Sequence, residues 1–171
     1  EADRDTVMSE RGSRQGDVLG GLFFALTIHP TLEAAKARWG DDLDIYAYLD
    51  DITIHGDDPE KVKQCVLFIQ EGFQKIGLEL NERKCEWLAA DLPCPFPNWT
   101  LNRDHIKILG AFHGFDDDKV SAALLEHTKS KQEEFFKNLR ELDINAQIVL
   151  LSVCGLPRMN YVIRTHNEKI S

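Results

Sequence analysis

At 171 residues, with 43% hydrophobic and 29% charged residues, the chain has the make-up of a globular protein long enough to bury a core. A net charge of -9 excludes a free-standing nucleic-acid binder that relies on bulk attraction to phosphate, so any such contact must be local. No apolar run approaches a membrane span and no signal peptide opens the chain, while four widely spaced cysteines, Cys65, Cys85, Cys94 and Cys154, suggest reduced thiols in an intracellular compartment.

The chain begins with Glu1 rather than Met and is expected to be part of a longer polypeptide. Residues 9–17 are polar and include Gly12 and Gly16, which predicts a loop of unusual backbone geometry. A helix is expected from about Leu19 to Ala37, with Leu22, Phe23, Leu26 and Ile28 crowding one side, a kink or break at Pro30, and an end at Gly40. Basic residues gather modestly at Arg4, Arg11 and Arg14, at Arg83 and Lys84, and at Arg158 and Arg164.

Next come Ile45-Tyr46-Ala47-Tyr48-Leu49 and Ile52-Thr53-Ile54-His55, two runs suited to a pleated, half-buried surface, with Asp50-Asp51 between them. The reading is strand, acidic turn, strand. A hairpin tip usually carries glycine in its second turn position, and neither aspartate is followed by one, so the turn looks chosen for charge. Two adjacent carboxylates repel unless a cation lies between them, and oxygen-only donors suit Mg²⁺ or Mn²⁺. On these residues alone, a solvated acidic turn is an equal reading.

Asp58 is a natural N-cap and Pro59 fits the first helical position, and Val62, Cys65, Val66, Ile69, Phe73 and Ile76 recur at helical spacing up to Gly77. Gly77 to Trp87 is expected to return to a short strand and a turn. Asp91 to Asp104 holds three prolines and reads as an irregular surface insertion, followed by a strand from His105 to Gly110. From Val120 two helices are expected, one with Leu124, Phe135 and Leu139 and one from Ile148 to Cys154 closed by Gly155 and Pro157. Cys85, Cys94, His105 and His113 match no common zinc-finger spacing.

Taken in order, these pieces resemble the palm and the start of the thumb of a reverse transcriptase, an RNA-directed DNA polymerase, of the retroelement kind. The family's motifs are similar to Gly12-Ser13-Arg14-Gln15-Gly16-Asp17-Val18-Leu19, Tyr48-Leu49-Asp50-Asp51, Gly77 to Lys84, and Ile108-Leu109-Gly110, in the family's order. Leu151 to Tyr161 also resembles a stretch found in retrotransposon polymerases. The usual proline after Gln-Gly-Asp is replaced by Val18, and the one near the helix start by Gly21.

The resemblance implies an α+β fold, with a palm-type antiparallel sheet and packed helices over residues 1–115 and a small helical thumb segment over residues 116–171. It implies two-metal nucleotidyl transfer with Mg²⁺ or Mn²⁺, Asp50 as the main ligand and Asp51 assisting. Lys84 would be a proton donor or charge partner near the incoming phosphates. Arg14, Gln15 and Gly16 would approach the templating pair, Tyr48 would pack beside the primer end, and Leu109 and Gly110 would lie under it. The expected partners are an RNA template and an RNA–DNA hybrid.

The family's first palm motif, a strand carrying another metal-binding Asp, has no counterpart here; Asp3 and Asp5 lack the apolar strand context. The hairpin edge is therefore expected to pair with a missing N-terminal half or a partner chain, and the chain alone is expected to be inactive. The alternative function is a retroelement-derived domain kept as a structural subunit of a large ribonucleoprotein, such as an organellar ribosome, among other ribonucleoprotein subunits.

Overall fold

The computed structural model describes Gly12 and residues 16–166. Two compact units divide between Asn81 and Glu82. Helices and small sheets mix in both, so the fold is α+β.

In the first unit, helix α1 spans Gly20–Trp39, strands β1 and β2 span Asp44–Tyr48 and Asp51–His55, and helix α2 spans Pro59–Lys75. Asp17 prepares the entry to α1, its carboxylate accepting from the Leu19 amide at 2.9 Å. α2 starts as its sequence predicts, with the Asp58 carboxylate accepting from the Glu60 and Lys61 amides ahead of Pro59, and Gly77 follows it with φ 79°.

The apolar stripe of α2 supplies Val62, Cys65, Val66, Ile69 and Phe73 to the core, where Ile28, Ala35 and Trp39 of α1 and Leu43 join them. Trp39 meets Phe68 edge-on at 5.4 Å. The helix continues through Pro30 without a break, and it departs from expectation in that Leu22, Phe23 and Leu26 are 53–59% exposed rather than buried. Apolar content was read as core, but no other described element covers this part of the helix.

The second unit opens with a 3₁₀ turn at Glu82–Lys84, so the turn and short strand expected between Gly77 and Trp87 come as this turn followed by a strand that starts at Glu86. Strands β3 (Glu86–Leu88) and β4 (Thr100–Asn102) pair in parallel, and β5 (His105–Ile108) and β6 (Ala111–Gly114) pair antiparallel. The insertion expected to be wholly irregular thus contributes β4. It is held by Phe96 stacked on Trp99 at 4.4 Å, and by the Arg103 guanidinium donating to the carbonyls of Ala89, Ala90 and Leu92. Among the described residues the strands form three two-stranded ladders, β1-β2, β3-β4 and β5-β6.

Helix α3 spans Asp117–Leu139, capped by the Asp116 carboxylate. Val120 and Leu124 of α3 bury against Phe112 of β6, and Val162 packs on the same cluster. Helices α4 (Ile144–Leu150) and α5 (Leu156–Thr165) are joined by a widened π-type turn at Leu151–Gly155. Gly155 and Pro157 do not end the helix as expected. Pro157 falls in the first turn of α5, where a missing N–H is tolerated, and Gly155 is buried beside Phe135. The resulting helix, Ile144–Thr165, is 22 residues long and apolar enough to cross a membrane by length and composition alone. A scan for unbroken apolar runs misses it because Asn145, Gln147, Ser152 and Asn160 interrupt the pattern.

The cysteines Cys65, Cys85, Cys94 and Cys154 are free thiols. Burial pushes the Cys65 thiol up to about 11, and burial with the nearby Glu82 carboxylate raises that of Cys85, so neither is readily ionised.

Candidate active site

The hairpin places the two carboxylates differently from the expected turn. Tyr48 pairs with Asp51, so the two-residue connection is Leu49-Asp50, and Asp51 is the first residue of β2. The turn is shifted by one residue because strand pairing extends to Asp51. Leu49 takes up the reversal with φ 53°, a left-handed conformation that costs a branched L residue about 1–2 kcal/mol. Such strain often accompanies a functional turn. Asp50 and Asp51 are both exposed, with no hydrogen bond or ion pair to either carboxylate among the described residues.

Tyr46, Tyr48 and Leu49 are also exposed, so the hairpin is less buried than its Ile and Tyr content suggests. Ile45, Ile52 and Ile54 are half-buried, and the open end of the hairpin is tied by Asp44 and His55 at 3.7 Å. Leu49 reaches back to α1, where a Cβ on Gly21 would lie 3.5 Å from its Cδ2. Within the first unit, the acidic turn therefore lies beside the start of α1. Gly16, just ahead of that helix, has φ 90°, which explains a glycine there. Arg14 and Gln15 lie outside the described residues.

In the second unit, Lys84 is exposed on the 3₁₀ turn. Leu109 and Gly110 form the two-residue turn of the β5-β6 hairpin, with φ 48° and 87°. Two successive positive φ angles are the geometry in which Asn-Gly is preferred. Leu109→Asn is therefore expected to stabilise the protein by about 1 kcal/mol, raising the melting temperature by about 2–4 °C. A melting curve checks it; no rise would mean that Leu109 carries no strain.

Phe112 lies at the centre of an aromatic group that sequence reading missed. His105, His127 and His166 all contact its ring. Burial, then the charges of Lys107 and Lys131, lower the His127 pKa below the ordinary imidazole value of 6.5, and Lys107 Nζ lies 2.9 Å from His127 Nε2. The folded state then binds fewer protons than the unfolded state below pH 6.5, so the stability from neutral His127 is full above that value and is lost on acidification through the folded pKa. Denaturant midpoints at neutral and mildly acidic pH should fall less for His127→Gln than for wild type. An equal fall would show that His127 is not the titrating group.

The oxygen donors of Asp50 and Asp51 suit a hard divalent cation, which is commonly held by one or two carboxylates plus water and substrate phosphate. No group of three or more His, Cys, Asp or Glu able to hold a metal gathers among the described residues.

Residues 2–113 match the family described as reverse transcriptase (RNA-dependent DNA polymerase). The chain belongs to the reverse transcriptase family, and it is of the retroelement type. It is 27% identical over 167 residues to the retrotransposable element SLACS 132 kDa protein of Trypanosoma brucei gambiense. That alignment covers 95% of this chain and 14% of the length of the relative. No solved structure matches the chain.

Proposed function

We propose that the chain supplies the Tyr-x-Asp-Asp hairpin of an RNA-directed DNA polymerase, with residues 1–115 forming part of the palm and residues 116–171 the beginning of the thumb. The observation that carries this reading is a strained, exposed Leu49-Asp50 turn, with the adjacent carboxylates of Asp50 and Asp51 making no hydrogen bond or ion pair among the described residues, in a chain of this family. Asp50 and Asp51 would hold Mg²⁺ or Mn²⁺, which supplies charge stabilisation for the attacking 3′ oxygen and the leaving pyrophosphate. The hairpin fixes the direction of both carboxylates by pairing up to Tyr48 and Asp51.

Lys84 is free to offer positive charge or a proton to the nucleotide phosphates. Gly16, with Arg14 and Gln15, gives the backbone close access to the templating base. Tyr48 packs beside the primer end, and Leu109 and Gly110 lie under it. The partners are an RNA template, its RNA–DNA hybrid, and a further strand pairing with an edge of the β1-β2 ladder, which has both edges open among the described residues. The setting is intracellular and reducing.

The experiment is primer extension on an RNA template by the natural polypeptide, with and without divalent cation. Extension that needs both template and cation supports the reading, and purified protein that binds template without extending it refutes it. A net charge of -9 favours a second reading, a domain retained as a ribonucleoprotein scaffold. Assembly unchanged by Asp50→Asn with Asp51→Asn, together with no extension by wild type, would select it.

A further inference from the structure

The β5-β6 hairpin has strands of four residues each, too short to hold a turn rigidly by their own pairing. Its turn and one of its strands are gripped instead by α5. The Tyr161 hydroxyl donates to the carbonyl of Leu109. The Tyr161 ring lies over Gly110, where an added Cβ would stand 3.1 Å from Cε1 and 3.3 Å from the hydroxyl. Glycine is therefore favoured at 110 by its φ of 87°, and any larger residue would also press on the ring above it.

Five residues further on, His166 is 4% exposed and its Nε2 accepts the Phe112 amide at 3.0 Å. Its Nδ1 lies 3.2 Å from the Val162 carbonyl, which can only accept, so Nδ1 carries the proton and Nε2 is the acceptor. Val162, between the two, packs on the Phe112, Val120 and Leu124 cluster. One helix thus meets the hairpin at its turn, its strand and its core face.

We propose that Tyr161 is a positioning residue that sets the Leu109-Gly110 turn from α5, so that the helix and the seat of the primer end move as one piece, with His166 as the second pin. The inference rests on the reading that Leu109 and Gly110 lie under the primer end. It adds a role for Leu151 to Tyr161, a stretch whose resemblance to retrotransposon polymerases brought no chemical group with it. Tyr161 touches neither nucleotide nor metal in this scheme. It acts through the Leu109 carbonyl.

The test compares Tyr161→Phe with wild type in the natural polypeptide by two readouts. Amide hydrogen exchange over residues 109–112 should quicken about tenfold, and binding of a DNA primer recessed on an RNA template should weaken about tenfold, with the nucleotide KM unchanged. His166→Gln, which keeps an acceptor, should retain more protection at Phe112 than His166→Leu. Unchanged exchange in Tyr161→Phe overturns the pin. Faster exchange with unchanged primer affinity overturns the positioning role alone. Failure of wild type to bind the primer–template overturns the polymerase reading and, with it, this inference.

Discussion

Asp50→Asn in the natural polypeptide is expected to lower primer extension by about a thousandfold while leaving the melting temperature unchanged. Loss of one carboxylate from a two-metal site removes charge stabilisation worth several kcal/mol, and about 4 kcal/mol corresponds to three decades in rate. The fold has no stake in that carboxylate, because Asp50 is exposed and makes no hydrogen bond or ion pair among the described residues. Removing one of two adjacent like charges relieves repulsion, so any change in stability should be small and favourable. Asp51→Asn should cost activity less, in keeping with its place in β2 rather than in the turn. Rate assays beside melting curves check both variants. An extension rate within tenfold of wild type for Asp50→Asn would remove the hairpin from the chemistry.

The largest effect on stability is expected from Phe73→Ala, a loss of about 3–5 kcal/mol. Phe73 is 5% exposed on the apolar stripe of α2, and truncation leaves a cavity in the core of the first unit. Phe23→Ala removes the same group from a site 53% exposed and should cost no more than about 0.5 kcal/mol. The pair separates burial from side-chain chemistry, and urea denaturation of both variants measures it. Equal losses would mean that the start of α1 is packed in solution against something the described residues do not supply.

That contrast also shows where the sequence was and was not legible. α2 could be read almost to the residue, because Asp58, Pro59, five buried positions at helical spacing and Gly77 all agree. The first hairpin was visible through its β-branched and aromatic runs, but its acidic turn came out one residue displaced, since propensity locates a reversal less sharply than strand register does; the second was read only as one strand from His105 to Gly110, so its turn at Leu109-Gly110 and its partner β6 were missed. The start of α1 misled because an exposed apolar face and a buried one have the same composition. β4 was hidden by the prolines of the loop before it, and that loop is held by contacts no local pattern announces, Arg103 with the carbonyls of Ala89, Ala90 and Leu92 and Phe96 stacked on Trp99.

The carboxylate pair, Lys84 and Leu109-Gly110 were singled out together through motif order, which neither spacing nor charge alone supplies. The grip of α5 on that turn could not be read, because Tyr161 and Leu109 lie 52 positions apart and no periodicity links them.

Pro30 has a consequence for the order of folding. It has no N–H to bond back to the carbonyl of Leu26 one turn earlier, so α1 lacks one link of its ladder in mid-course. The half beyond Pro30 carries Ala35 and Trp39, which dock on α2 across a short loop and hairpin, a nearby pairing of low entropic cost. That half and α2 are expected to form the nucleus of the first unit. The half before Pro30 buries Ile28 but turns Leu22, Phe23 and Leu26 outward, so substitutions at those three positions are expected to change how fast the unit comes apart more than how fast it forms, which folding and unfolding rates of such variants would check.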